Sequence, residues 1–170
     1  MASKIKVDQI QTADGTGTIA LQNQLSGLTS ASMPTGSVLQ VVSDSHYHPT
    51  SHASTSSTSF VDSNLSATIT PTSTSSKIMV LVTMGAQSPS SGRGIFNAVR
   101  GSTELDGNGW CGQEESAGNY NYGSWGANWI DTPSTTSATI YKVQVKATAG
   151  TFYYHHAKYI SSLILIEIAG

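Results

Sequence analysis

The sequence predicts an all-β protein, an antiparallel β-sandwich of jelly-roll type, on three observations. Apolar residues alternate with polar ones along the whole chain, while helical periodicity is almost absent. The alternating segments are separated by Gly, Ser, Thr, Pro and Asn, which are typical of turns between strands. About eight such segments occur, and a two-sheet sandwich pairs that many strands around one core without any helix.

The candidate strands follow one another from residue 37 to the end of the chain. Every second residue is apolar in LSATIT (65–70), KIMVLVTM (77–84), TIYKVQV (139–145) and the closing strand with Ile164, Ile166 and Ile168. The weaker candidates are SVLQVVS (37–43), TSFVD (58–62), GIFNAVRG (94–101) and TFYYHH (151–156). We expect one more paired segment near Trp110 or Trp125.

Residues 1–33 differ from the rest of the chain. The pieces IKVDQIQT and TIALQ flank the turn-rich ADGTG, which predicts a hairpin or two short extended pieces. A segment this short cannot bury its own large apolar side chains. We therefore expect residues 1–33 to anchor or oligomerise the protein, residues 34–36 to be a linker, and residues 37–170 to form the β-sandwich head. The side chains expected to make the anchoring contacts are Ile5, Val7, Ile10, Ile19 and Leu21.

The composition argues against several classes of function. Only 11% of the residues are charged, with 8 Lys and Arg against 10 Asp and Glu, whereas 47 of 170 are Ser or Thr. A net charge of −2 gives no basic field for nucleic acid or an anionic membrane surface. The apolar runs are far shorter than the roughly 20 residues of a membrane-spanning helix, and the N-terminus does not resemble a cleaved signal. We expect a soluble protein without nucleic acid or membrane insertion, and with no disulfide from its single cysteine, Cys111.

No motif for nucleotide binding, zinc hydrolysis or a serine nucleophile occurs, and we expect no catalytic residues and no enzyme. The acidic residues that come nearest to a catalytic acid/base pair are Glu104, Asp106, Glu114 and Glu115, but their spacing does not indicate any particular reaction. Solvated loop charges or turn caps are the favoured interpretation.

Two histidines allow one cofactor hypothesis. In a strand, His46 and His48 would project to the same face, so several chains could hold a transition metal on a trimer axis. The alternative is that both are exposed polar residues in a loop, which the sequence favours because no carboxylate or cysteine stands at a fixed offset. The adjacent His155 and His156 alternate faces and cannot both ligate from one side.

The interval DGNGWCGQEESAGNYNYGSWGANWID (106–131) holds all three tryptophans of the chain. Aromatic faces with amide groups on a Gly-rich loop suit stacking on sugar rings or a protein contact. The tryptophans could equally close one end of the sandwich core, and we expect at least one to be buried. The candidate receptor-contact residues are Trp110, Asn119, Tyr120, Asn121, Tyr122, Trp125, Asn128 and Trp129.

Several segments together resemble virion structural proteins of tailed bacteriophages, particularly tail-fibre proteins of phages that infect cyanobacteria and other marine bacteria. The segments are IKVDQIQTADGTGTIAL, MPTGSVLQVV, TSFVDSNLSATITPTSTSSKIMVLV, FNAVRGSTEL, ATIYKVQVKATAGTFYY and SSLILIEIAG. The resemblance implies a homotrimer with an N-terminal part docked on the particle and a β-sandwich head. It also implies a place in the virion, after assembly in the host cytoplasm, beside other virion proteins of the tail, portal-adaptor or capsid.

Two functions of different classes follow from the residues and the resemblance. The first is a short fibre or fibre tip that contacts a host surface glycan through the loop end of its head. The second is a capsid decoration or tail-assembly protein with a purely structural role. Three copies at each attachment point would support the fibre, and copies in proportion to capsid subunits would support decoration.

Overall fold

The computed structural model describes residues 33–47, 52–89, 91–105, 109–111 and 121–170, with the backbone alone at Trp110 and Cys111. The anchoring segment with Ile5, Val7, Ile10, Ile19 and Leu21 lies outside these residues. The same holds for His48, Asn119 and Tyr120.

The described chain is all-β, which confirms the predicted class. Its strands are β1 (Val38–His46), β2 (Ala53–Thr55), β3 (Val61–Ile69), β4 (Lys77–Gln87), β5 (Gly94–Arg100), β6 (Thr103–Glu104), β7 (Gly109–Cys111), β8 (Tyr122–Asp131), β9 (Thr139–Ala147), β10 (Phe152–Tyr154) and β11 (Ser161–Ile168). The segment TSFVD, predicted as a strand of its own, leads into β3. Among the described residues, no helix has the length and apolar character needed to cross a membrane.

The strands form two antiparallel sheets. The six-stranded sheet runs β1-β11-β4-β10-β2, and β8 lies along the other edge of β4. The five-stranded sheet runs β3-β9-β5-β6, with β7 also paired to β5. One buried apolar cluster draws side chains from both sheets, so they pack face to face as an antiparallel sandwich. The finer jelly-roll assignment stays a prediction.

The period-two pattern places the core correctly in three of the four clearest strands. Alternate residues of β3, β4 and β9 are almost fully excluded from solvent, as a strand with one inward face requires. They are Leu65, Ala67, Ile69, Ile78, Val80, Val82, Met84, Tyr141, Val143 and Val145.

The closing strand β11 turns its other face to the core. Leu163 and Leu165 are fully buried, whereas Ile164 and Ile166 point outward and are half-buried. The sequence SSLILIEI is apolar in both phases, so alternation alone cannot select the inner face. The inner phase also contains Glu167, a residue type that rarely lies inside a protein.

Glu167 is fully buried and surrounded by donors. Its Oε1 accepts hydrogen bonds from the Thr72 backbone N–H at 2.7 Å, the Thr72 hydroxyl at 2.8 Å and the Ser76 hydroxyl at 2.7 Å. Its Oε2 accepts one from the Gln40 side-chain amide at 2.5 Å. The carboxylate therefore ties β1, the β3–β4 connection and β11 together at one end of the sandwich.

The chain enters the head through a turn fastened to β11. The Ser37 N–H donates to the Pro34 carbonyl at 3.0 Å, and Gly36 between them has a φ of +89°, which a type II turn requires at that position. The Gly36 N–H donates to the Ala169 carbonyl, and the Ala169 N–H donates to the Ser37 carbonyl, both at 2.8 Å. Residues 34–36, predicted as a linker, are thus hydrogen-bonded to the end of the chain, and their role as a domain boundary stays a prediction.

Replacing Glu167 with Gln should lower the free energy of unfolding by about 1–3 kcal/mol, because hydrogen bonds to a charged acceptor are lost or weakened. Burial alone would raise the pKa of Glu167, but the hydrogen bonds from Gln40, Ser76 and Thr72 outweigh it, and the pKa lies below its ordinary value of 4.5. The stabilisation is thus complete above pH 4.5 and is lost as the pH falls through the lowered pKa.

Denaturant unfolding between pH 7 and pH 3 measures this effect. The difference between wild type and Glu167→Gln should shrink at the acid end. The exposed Glu104→Gln on β6 is the matched control and should remain close to wild type. An equal and pH-independent loss in both variants would contradict the assignment.

Candidate functional site

The second half of the tryptophan-rich interval is a strand. Residues 122–131 were predicted to lie in a binding loop, but they form β8, which pairs with β4 along its whole length from Ile78↔Asp131 to Gln87↔Tyr122. Strand pairing fixes the backbone here, so the glycines of this stretch do not give it the freedom of a loop. The expectation of a paired segment near Trp110 or Trp125 is confirmed by β7 and β8.

Side chains along β8 point alternately to the core and to solvent, and this divides the candidate receptor-contact residues into buried and exposed ones. Trp129 is 9% exposed and packs edge-to-face on Phe96 in the core, with ring centroids 6.5 Å apart. Trp125 also faces the core and is partly buried. Tyr122 and Asn128 point outward and are exposed. At least one tryptophan is therefore buried, as expected, and the ring of Trp129 is not available to stack on a sugar.

The remaining candidates lie at or outside the limits of the described chain. Asn121 is fixed through its backbone: its N–H donates to the Ser88 hydroxyl at 3.1 Å, and its carbonyl accepts from the Ser88 N–H at 2.9 Å. Trp110 belongs to β7 by its backbone, and its side chain lies outside the described residues. Asn119 and Tyr120 also lie outside them, so their role stays a prediction.

A cleft of about 470 Å³ opens where the outer edge of β8 meets the end of β5 and β6. The backbone places polar side chains from three strands around it, because β5 ends and β8 ends at the same side of the sandwich. The described lining residues are Arg100, Thr103, Glu104, Leu105, Asn128, Trp129, Ile130, Asp131 and Thr132.

Two of the lining residues, Arg100 and Asp131, belong to an ionic network with the buried Tyr141. The Tyr141 hydroxyl donates to Asp131 Oδ2 at 2.6 Å, and Arg100 Nη1 lies 3.2 Å from the same oxygen. Arg100 and Tyr141 are register partners in the five-stranded sheet, whereas Asp131 ends β8 of the other sheet. Burial first, and the hydrogen bond to Asp131 second, raise the pKa of Tyr141 strongly, so the phenol stays protonated and remains a donor. The network fastens the two sheets to each other beside the cleft.

The cleft is equipped to bind polar ligands of little charge. Its described lining has one cation, Arg100, against two carboxylates, Glu104 and Asp131, which is a formal charge of −1. Asp131 already contacts both the Tyr141 hydroxyl and Arg100, so its carboxylate holds the two sheets together and is not offered to a ligand. Hydroxyls of Thr103 and Thr132 and the amide of Asn128 remain as neutral donors and acceptors at the rim.

Four histidines from two parts of the sequence form two stacked pairs. The His46 and His155 rings stack with centroids 4.8 Å apart, and the His52 and His156 rings stack at 5.8 Å. The pKa of His156 is lowered, first by burial and then by the neighbouring His52 and Lys158. Each stacked pair joins residues more than 100 positions apart, and the contacts give these four histidines a packing role.

The metal hypothesis meets a geometric restriction at His46. Its Nε2 lies 3.0 Å from the Asn64 carbonyl, which can only accept, so this nitrogen carries the hydrogen and has no lone pair for a metal. His155 Nε2 is held in the same way, 2.7 Å from the Ser63 carbonyl. The described residues contain no group of three or more histidine, cysteine or acidic side chains placed to hold a metal. Coordination by His46 and His48 across an axis stays a prediction, and it would have to use Nδ1 of His46.

Sequence reasoning did not find the network beside the cleft. Tyr141 belongs to the alternating apolar residues of 139–145, and its ring does lie in the core. The available signal was Arg100, an arginine in the predicted strand 94–101 of a chain with very few charges. The partner that Arg100 and Tyr141 share, Asp131, could not be found, because the pairing of β8 with β4 is not encoded locally.

No protein-family model matches this chain, and a search of curated proteins gives no match.

The positions of two aromatic side chains on β8 predict opposite responses to truncation. Trp129→Ala should lower the free energy of unfolding by about 3–5 kcal/mol, because it opens a cavity between the sheets. Tyr122→Ala removes a side chain that is 49% exposed and should cost about 1 kcal/mol or less. Thermal melting of both variants measures the difference, and similar losses in the two would contradict the inward assignment of Trp129.

Proposed function

We propose that this protein is a structural and adhesive component of a bacteriophage virion. In the proposal it is a trimeric fibre component, attached to the particle by residues 1–33, whose β-sandwich head contacts a neutral glycan on the host surface. The resemblance of its segments to tail-fibre proteins supplies the class of particle. The single structural observation that carries the adhesive role is the polar cleft between the end of β8 and the end of β5 and β6.

The cleft suits a sugar better than an anion or an apolar ligand. A formal charge of −1 repels carboxylated or phosphorylated ligands, and the rim groups from Thr103, Asn128 and Thr132 match sugar hydroxyls. Each hydrogen bond contributes about 0.5–1.5 kcal/mol net, so one site binds weakly. Three linked heads would raise the apparent affinity on a surface where the receptor repeats.

The proposal is of binding and not of catalysis. Hydrolysis of a glycoside needs two carboxyl groups that are available to the scissile bond. Asp131 is engaged with Tyr141 and Arg100, which leaves Glu104 as the cleft's accessible carboxylate among the described residues.

The second candidate function is capsid decoration or tail assembly. It is favoured by the neutral, apolar outer face of the six-stranded sheet, which suits packing against neighbouring subunits. Labelling the protein on intact particles and counting copies by electron microscopy separates the two. Three copies at each tail or vertex attachment point support the fibre, and copies in proportion to capsid subunits support decoration.

Blocking the cleft should weaken host adsorption without unfolding the head. Thr103 and Thr132 are exposed at the rim, so Thr103→Trp and Thr132→Trp place a large ring in the cleft with little effect on the core. We expect adsorption of particles with either variant to fall about tenfold or more, as the loss of roughly 1.4 kcal/mol per site implies. Raising the salt concentration should change wild-type adsorption little, because few screened ion pairs take part.

The matched control is Thr68→Trp, an exposed strand threonine of β3 on the five-stranded sheet. Its adsorption and melting temperature should equal those of wild type. Wild-type adsorption by both cleft variants, with their melting temperatures unchanged, would refute the adhesive role of the cleft.

A further inference from the structure

The outward faces of the two sheets differ sharply in chemistry. On the five-stranded sheet, β9 presents Lys142, Gln144 and Lys146, and Lys142 forms an ion pair with Asp62 of β3 at 2.9 Å. On the six-stranded sheet, the corresponding surface of β1, β11, β4 and β8 is neutral except for Lys77 at one end. A low-charge domain thus places most of the charge of its outer faces on one side.

The strand register defines the neutral face as rows of side chains. The first row is apolar and crosses β1, β11, β4 and β8 as Val41, Ile166, Met79 and Ile130. The second row contains Ser43, Ile164, Leu81 and Asn128, and the third contains Ser45, Ser162, Thr83 and Gly126. The row at the other end is Val38, Ile168 and Lys77, which is the one charged residue among these positions.

These side chains remain accessible in the head. Val38 and Val41 are each 58% exposed and Ile130 is 54% exposed, while the central Ile164, Ile166, Met79 and Leu81 are half-buried by their neighbours in the sheet. Residues of the second and third rows line a shallow depression of about 420 Å³. Contiguous apolar surface of this kind usually marks an interaction site.

We propose that this neutral face of β1, β11, β4 and β8 is the surface through which copies of this chain contact one another. Four strands spaced by about 4.8 Å and four rows spaced by about 6.8 Å cover roughly 500 Å² per copy. Two such faces together bury about 1,000 Å², which is the lower limit for a specific protein interface. Two such faces packed on each other form a twofold pair of copies, so the inference concerns this contact and does not use the number of copies in the proposed fibre.

A second copy fits this face better than a partner of another kind. A charged partner would be selected by complementary charges, but the three rows from Val41 to Ser45 contain none. A neutral surface can meet its own copy without like-charge repulsion. Serine, threonine and glycine in the third row allow the backbones to approach closely.

The path of the chain is consistent with the same surface. The polypeptide enters the head through the turn at Pro34–Ser37, which is hydrogen-bonded to Ala169 beside the Val38 end of the face. The 32 residues before the described part therefore join the head at the edge of the proposed contact surface, where chains that meet through the face also bring these segments together.

Analytical ultracentrifugation of the full-length protein tests the inference. The variant Ser43→Glu adds a charge to the second row at an exposed serine and removes no apolar contact, so the head should fold normally. Val41→Glu adds a charge to the first row. We expect wild type to sediment as an oligomer at micromolar concentration and each variant to dissociate at least tenfold more readily, with far-UV circular dichroism unchanged.

The matched control is Ile140→Glu. Ile140 is an apolar residue, 40% exposed, on the outward face of the other sheet, so its replacement adds the same charge away from the proposed contact. Its oligomer should equal wild type. A monomeric wild type would overturn the inference, because the face would then be covered from within the chain or by another protein.

Wild-type association by a folded Ser43→Glu would also overturn the inference, and this variant decides the matter if Val41→Glu does not fold. These outcomes are independent of host adsorption. A protein that self-associates through this face but lies nowhere on the virion would refute the proposed function and leave the contact surface intact.

Discussion

Strand β4 is the element on which the rest of the structure depends. It pairs with β8 along one edge and with β11 and β10 along the other, so it fixes the position of most of the six-stranded sheet. Its inward residues, such as Val80 and Met84, fill the centre of the core, while Met79 and Leu81 form the middle of the neutral outer face. A single strand with apolar residues in both phases thus supports the fold on one side and the proposed contact on the other.

Three of the chain's few charged side chains hold the sandwich together at one end. Glu167 accepts hydrogen bonds from side chains and backbone there, and Asp131, which shares a register row with Glu167 through Ile78, joins Tyr141 and Arg100 across the two sheets. Buried carboxylates of this kind are tolerated because donors surround them. Because only 11% of the residues are charged, hydroxyls, amides and apolar groups supply most of the surface chemistry, and we infer that contacts of the head depend on shape and hydrogen bonds more than on charge.

The two proposed surfaces meet at β8. Asn128 and Ile130 face outward in the rows of the six-stranded sheet and also line the polar cleft. Blocking variants for the cleft are therefore placed at Thr103 and Thr132, and variants for the contact face at Val41 and Ser43, so that each measurement reports on one surface. This geometry puts a ligand close to a neighbouring copy, which would help the weak sites of adjacent copies to act together on a repeated receptor.

The amino-acid sequence alone predicts the all-β class and the inward residues of β3, β4 and β9, because alternation of polar and apolar residues is a local property that a half-buried strand imposes. The alternation does not orient β11, because SSLILIEI is apolar in both phases. It also does not identify Glu167 as an interior residue, because the groups that donate hydrogen bonds to it lie more than 90 positions away in the sequence. Residues 122–131 were predicted as a loop, since glycine and asparagine weaken a strand signal that pairing with β4 then overrides. The folded structure is needed to see these features and the contact of Arg100, Tyr141 and Asp131, because long-range pairing of antiparallel strands sets which side chains meet, and no local pattern encodes that register.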